Sequence, residues 1–216
     1  MRSFISNELE PVAYLIYMVA VLLYYHRFRL LRFKVLAIYY AGAAMVLYAG
    51  IIITDYLNEW TYNLVYFTNI CVFSWYFRQL LHVSRKRRVV LLCLLLNIFI
   101  FIYFDIFLNT FYANFNSFVY GITFISIVLY TLLYLHQILA DVKEENLLLN
   151  FDFWLVCGFL LHFLGSFVVI IYYELADIYN KAALWAVQNF ILFICALITL
   201  FAAVNIIKKQ KLLQDG

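Results

Sequence analysis

The side chains able to do chemistry in this sequence are few and scattered. There are four histidines, of which His162 sits inside a long apolar run (FDFWLVCGFLLHFLGSFVVIIYYE), while His26, His82 and His136 close other apolar runs. A metal centre needs several ligands converging on one ion. No two histidines stand at i, i+3 or i+4 and no carboxylate falls beside them, so no metal is expected. Haem would need opposed ligands at one depth, and only His162 is deep. An intramembrane metalloprotease would carry H-E-x-x-H on one helix, which is absent. Ser166 as a nucleophile has only His162, four residues earlier on its own helix, as a base. The four cysteines, Cys71, Cys93, Cys157 and Cys195, are each isolated in apolar sequence without a C-x-x-C pair and read as small buried hydrophobes. A retinal Schiff base would need a lysine in the middle of the last apolar run, where Cys195 and Ala196 stand. Asp105 and Asp152 fall at opposite ends of their runs and form no deep carboxylate pair for a proton relay. The expectation is a non-enzymatic chain without a cofactor.

What remains is a set of polar side chains within apolar runs. Counting inward at 1.5 Å per residue, Asn69, Asn97 and His162 come near the middle of their runs, with Gln188 and Asn189 nearer the start of theirs. Such residues in a bilayer face the bundle interior. They are read in two ways: as interhelical hydrogen-bond glue, each bond contributing about 0.6 kcal/mol, or as anchors of an aromatic-lined ligand site that also takes in Trp185. His162 is the sharpest candidate. An imidazolium there would be desolvated with no carboxylate near it, so a neutral ring with one donor and one acceptor is expected. Trp154, Gly158, His162 and Gly165 share one helical face, and the two glycines admit a close neighbour, so Gly158 and Gly165 are assigned to helix packing. Tyr62, Tyr66, Asn69, Phe73 and Tyr76 form a second stripe.

The elements that hold these residues follow from composition. The 216 residues are 68% hydrophobic, 21% aromatic and 12% charged, with mean hydropathy +0.93, whereas soluble domains run near 25% charged. This is the composition of an all-α integral membrane protein. Breaks in apolarity give seven spans, at about 11–25, 35–54, 60–81, 89–106, 117–139, 153–173 and 182–207. Seven helices of about 20 residues use roughly 140 positions, leaving room for one seven-helix domain and no soluble one. Pro11 suits a first helical turn, and the uncharged stretch FLNTFYANFNSF suits an interfacial loop. With one arginine followed by acids at the start, no cleaved signal peptide is expected. With one proline and six glycines, the helices should be nearly straight.

Basic residues orient the bundle, because cytoplasmic loops collect Lys and Arg. Arg27, Arg29, Arg32 and Lys34 fall in loop 26–34, and Arg85, Lys86, Arg87 and Arg88 in loop 82–88. With Arg78, Lys143, Lys208, Lys209 and Lys211, 13 of 15 basic residues share one side, leaving Arg2 and Lys181 opposite. The N-terminus is therefore expected outside and the C-terminus in the cytoplasm. Seven acids, Glu10 among them, fall outside and five inside. The basic loops read as topology determinants that also meet anionic lipid, so no nucleic-acid partner is expected. The partners expected are the lipid bilayer and a second membrane protein or another copy of the chain.

The last hundred residues resemble a family of small seven-span inner-membrane proteins of Bacteroidota. The sixth span of that family reads F-W-x-x-x-G-x-L-x-Y/H-x-x-G-x-F, matching Phe153, Trp154, Gly158, Leu160, His162, Gly165 and Phe167. The seventh opens with a Trp and an amide or His, here Trp185, Gln188 and Asn189. Phe151-Asp152 stands where that family often has Pro. Since such proteins are often encoded near sensor histidine kinases, the resemblance implies a sensory or signal-transducing accessory role in the bacterial inner membrane. A small-solute transporter or channel, and a structural subunit of a larger membrane complex, are the alternatives. Transport carriers break helices at midplane Gly and Pro, a feature this sequence lacks.

Overall fold

A computed structural model describes residues 9–54, 59–108, 117–140, 147–173 and 178–215, and these are helical almost throughout. The long helices are α1 (Leu9–Phe28), α2 (Leu31–Thr54), α3 (Glu59–Leu80), α4 (Ser84–Phe101), α5 (Ser117–Ala140), α6 (Phe151–Tyr173) and α7 (Ile178–Asp215). Six of the seven are long and apolar enough to cross a membrane; α3 is the exception. The seven expected spans thus exist as seven helices, of which six qualify on composition.

The exception has a physical reason. Thr61, Asn63, Asn69 and Ser74 on α3 are buried together with Tyr62, Tyr66, Phe73, Tyr76 and Phe77. Its polar groups face other helices, since α3 packs against α2, α4 and α5. The opposite extreme is α4, whose buried residues are Val90 and Asn97, with Leu92, Leu95, Leu96 and Phe99 exposed. A helix apolar all round suits a lipid-facing position, and a helix rich in amides and hydroxyls must be surrounded by protein. Around them α1 lies between α2 and α7, and α6 between α5 and α7.

Several boundaries differ from the sequence reading. The basic loop 26–34 contracts to Arg29-Leu30: Arg29 adopts a left-handed conformation (φ 56°) and its N–H donates to Tyr25 O at 2.7 Å, closing α1 as glycine commonly does. Likewise 82–88 is mostly the first turns of α4, with Arg87 Nε donating to Leu81 O. Most of these basic residues therefore lie in the terminal turns of α1, α2 and α4, with Arg29 in the short connection that remains. The end of α4 winds into a π-helical turn over Ile102–Phe107, an irregularity that the content of Gly and Pro does not signal. Asn150 Oδ1 accepts the Phe153 N–H at 3.4 Å, the N-cap that starts α6. α7 runs 38 residues, well past the expected 182–207; at 1.5 Å per residue that is about 57 Å against a hydrocarbon core of about 30 Å. The interfacial stretch FLNTFYANFNSF lies largely outside the described residues, as do Asp55, Glu174 and Asp177.

The helices alternate in direction. At one end, Tyr62 at the start of α3 lies beside Glu10 of α1 and accepts from Trp185 of α7, while Tyr120 of α5 donates to Asn63. At the other, Arg32 near the start of α2 pairs with Asp152 at the start of α6. Between these layers lies an aromatic core: Tyr17 stacks on Tyr40 at 5.0 Å, Phe73 meets Phe159 at 4.7 Å and Phe163 at 5.2 Å edge to face, and Phe124 meets Phe163 at 5.3 Å.

Candidate functional site: two polar layers across an aromatic core

The six ligand-anchor candidates do not form one site. Trp185 and Gln188 project from α7 onto the tyrosine stripe of α3: Trp185 Nε1 donates to Tyr62 Oη at 3.2 Å and Gln188 Nε2 to Tyr66 Oη at 3.3 Å, leaving the buried Gln188 Oε1 without a hydrogen-bond partner. Asn189 beside it is fully buried. Asn97 belongs elsewhere, to the α4–α5 contact, where its Nδ2 donates to Ser126 Oγ at 2.8 Å and Thr123 Oγ1 donates to its Oδ1 at 3.0 Å. Asn69 accepts from Tyr39 Oη.

His162 stands against Phe163, ring centroids 4.7 Å apart, and its Nδ1 lies 3.3 Å from Ser166 Oγ on its own helix. None of Asn69, Asn97 or Gln188 hydrogen-bonds it, so the expected interhelical partnership is corrected to a local one. His162 and Asn69 do line a common void with Tyr14, Tyr17 and Tyr40, but its volume is about 10 Å³, barely the room of one water. An organic ligand does not fit between them.

Gly158 and Gly165 lie on the α6–α7 contact. A Cβ on Gly158 would stand 3.1 Å from Thr199 Oγ1 and 3.4 Å from Tyr17 Oη, and one on Gly165 3.2 Å from Ile191 Cδ1. The absence of a side chain at these two positions sets how closely α7 and α1 approach α6.

Two buried carboxyl groups were not anticipated. Glu10, assigned to the outside by counting, is 1% exposed; its carboxyl lies beside Tyr62, and Oε2 is without a hydrogen-bond partner. Asp152 is buried at the opposite layer, where Arg32 Nη2 donates to Oδ2 at 2.6 Å, Arg32 Nε to Oδ1 at 3.3 Å and Tyr76 Oη to Oδ1 at 2.7 Å. Arg32 also lies over the Phe33 ring, 5.0 Å from its centroid, a cation–π contact that holds the guanidinium in place. The one sequence signal for this cluster was the α3 stripe, which ends on Tyr76.

This second layer contains a cavity of about 200 Å³ lined by Arg32, Gln79, His82, Gln137, Asn150 and Asp152 among others. Gln137 braces its wall: Oε1 accepts the His82 N–H at 2.9 Å and Nε2 donates to Leu80 O at 3.3 Å, fixing the α3–α4 turn to α5. Nearby, Lys86 Nζ donates to Leu133 O at 3.1 Å and lies 3.2 Å from His136 Nδ1. The arrangement has no nucleophile held by a base and an acid. It is suited to binding: a half-open polar vestibule walled by a fixed ion pair, beneath an aromatic core. No family model, no curated protein and no solved structure matches the chain.

Proposed function

We propose that this chain is a non-enzymatic sensory or signal-transducing module of the bacterial inner membrane, taking its input at the Arg32–Asp152 vestibule and passing its state to a partner membrane protein or a second copy. A seven-span topology with the N-terminus outside underlies this reading. It is supported by the alternation of helix directions, by the burial of α3 among apolar neighbours, and by the basic residues gathered on the vestibule side. Lys208, Lys209 and Lys211 near the end of α7 are exposed on that side and offer an output surface.

The observation that carries the proposal is the closed midplane. Phe73, Phe159 and Phe163 interlock across α3 and α6, and the void beside them has a volume of about 10 Å³. Dense ring packing between the Trp185–Gln188 layer and the Arg32–Asp152 layer supports a sensing reading over an open channel. The test is reconstitution into liposomes with ion- and solute-sensitive dyes. The expected result is leakage equal to that of empty liposomes, and gentle extraction should give a complex heavier than one chain. Flux through the wild-type protein would overturn the reading in favour of transport.

A further inference from the structure

The geometry points to the vestibule as a site for a small zwitterion that carries an oxyanion and a primary ammonium together, the chemistry of a phosphoethanolamine group. This inference rests on the vestibule being the input of the sensing module. Three features of the site lead to it.

The first is size. A cavity of about 200 Å³ is smaller than the roughly 300–1,000 Å³ of sites for drug-sized molecules, and admits a headgroup or a metabolite fragment. The second is charge balance. The wall presents one cation, Arg32, and one anion, Asp152, already paired at 2.6 Å. A lone anion would sit beside a carboxylate and a lone cation beside a guanidinium, each repelled at short range. A ligand carrying both charges meets each with its opposite.

The third is the unused hydrogen-bonding capacity. A guanidinium has five N–H donors and a carboxylate about four acceptor positions. Arg32 commits two donors to Asp152, so three remain. Asp152 accepts from Arg32 twice and from Tyr76 once, so about one position remains. Three donors suit the several oxygens of a phosphate, in the forked geometry that Arg favours. One acceptor suits one N–H of an ammonium. Arg32 is accessible for this, its side chain 26% exposed, and Gln79 and His82 at the rim are exposed. Gln137 commits its Oε1 to the His82 N–H and one Nε2 N–H to Leu80 O, bonds that fix the wall, and keeps one N–H donor that can add to the oxyanion contacts.

The same chemistry can arrive as a soluble phosphorylated amine or as the headgroup of an inner-leaflet phospholipid, and the experiment separates the two. The whole protein in a neutral detergent is melted by tryptophan fluorescence against O-phosphoethanolamine, a short-chain phosphatidylethanolamine, a short-chain phosphatidylglycerol, inorganic phosphate and ethanolamine. The expected result is a saturable rise in Tm of about 2–4 °C with one or both zwitterions, and less than half of that with phosphate, ethanolamine or phosphatidylglycerol at equal concentration. A rise with the lipid alone identifies a headgroup; a rise with both identifies a site open to the soluble form. Gln79→Phe, which fills the rim without touching the ion pair, should abolish the rise while leaving the ligand-free Tm in place. An equal rise from phosphate alone, a rise unchanged by Gln79→Phe, or no rise with either zwitterion would overturn the assignment. Flux in liposomes, by contrast, would overturn the sensing reading and leave the ligand class standing.

Discussion

Cutting the Arg32–Asp152 pair from either side should give unequal losses of stability. Asp152 is the more buried partner, its side chain 9% exposed against 26% for Arg32. Arg32→Met keeps an apolar stem against Phe33 but strands the carboxylate with Tyr76 as its one remaining donor; an uncompensated buried charge of this kind costs about 3–5 kcal/mol, and the adjacent vestibule sets the expectation at the lower figure. Asp152→Asn leaves a guanidinium that the vestibule can hydrate, and the new amide oxygen still accepts from Tyr76, so the loss is of hydrogen-bond size, about 1–2 kcal/mol. Replacing both, Arg32→Met with Asp152→Asn, removes the charges together while the amide oxygen still accepts from the buried Tyr76 hydroxyl, and should return to within about 1 kcal/mol of the wild type. The assay is unfolding in mixed micelles followed by tryptophan fluorescence, with secondary structure checked by circular dichroism. Because about 1 kcal/mol moves Tm by roughly 2–4 °C in a chain of this size, Arg32→Met should melt at least about 6 °C lower and the double variant close to wild type. Equal single losses would refute the burial argument. Additive losses in the double variant would refute the pair itself.

Three further outcomes are expected. Gly158→Leu and Gly165→Leu should sharply reduce the folded yield in detergent, since even a Cβ there stands 3.1–3.2 Å from α7 side-chain atoms, whereas Gly42→Ala, with nothing within 4 Å, should raise stability by about 0.5–1 kcal/mol through helix propensity; similar behaviour of all three would show that the α6–α7 approach is not set by glycine. Asn97→Leu should cost about 1–2 kcal/mol by removing two bonds between α4 and α5, whereas His162→Leu, which loses one contact to Ser166 on its own helix, should cost less than half as much; the reverse order in unfolding titrations would restore His162 as an interhelical anchor. A cysteine in place of Arg87 should resist a membrane-impermeant maleimide in intact cells and react after lysis, and labelling in intact cells would invert the proposed orientation.

The helices were legible in the sequence because hydropathy reports the cost of exposing the backbone and polar side chains to lipid, and six of the seven helices are written in that language. The seventh shows its limit. α3 carries Thr61, Asn63, Asn69 and Ser74 and falls short as a membrane span on composition, yet its tyrosine stripe at helical spacing marked it as a helix with a buried face. Hydropathy measures a helix against lipid, and α3 is solvated by Tyr39, Tyr120 and Tyr130 of its neighbours. The ends of helices were misjudged for a related reason: Arg and Lys lower a window average whether they sit in a loop or cap a helix, so α1 reaches Phe28 and α4 begins at Ser84, inside segments that composition assigns to loops.

The candidate site was less legible, because depth along a helix is a one-dimensional quantity and a site is made by azimuth as well. Counting residues placed Asn69, Asn97 and His162 at similar depth, but Asn97 turns toward α5 and His162 toward Phe163 and Ser166, so shared depth brought no shared partner. Counting also treated Arg32 and Asp152 as separate markers of the membrane boundary. They are 120 residues apart and meet only because α2 and α6 start in the same layer, on either side of Tyr76. A boundary charge exposed to water contributes little to stability, whereas the same charge held at 2.6 Å from its partner under a buried tyrosine is strongly constrained. That constraint is why the proposed input lies at the vestibule and not at the midplane histidine, whose hydrogen-bond contact is to Ser166 on its own helix. The helices α2, α3 and α6 also carry the aromatic core, with Phe73 of α3 and Phe159 of α6 in edge-to-face contact at 4.7 Å, so under the proposed function a ligand that altered the Arg32–Asp152 spacing would be sensed as a change in how these helices pack.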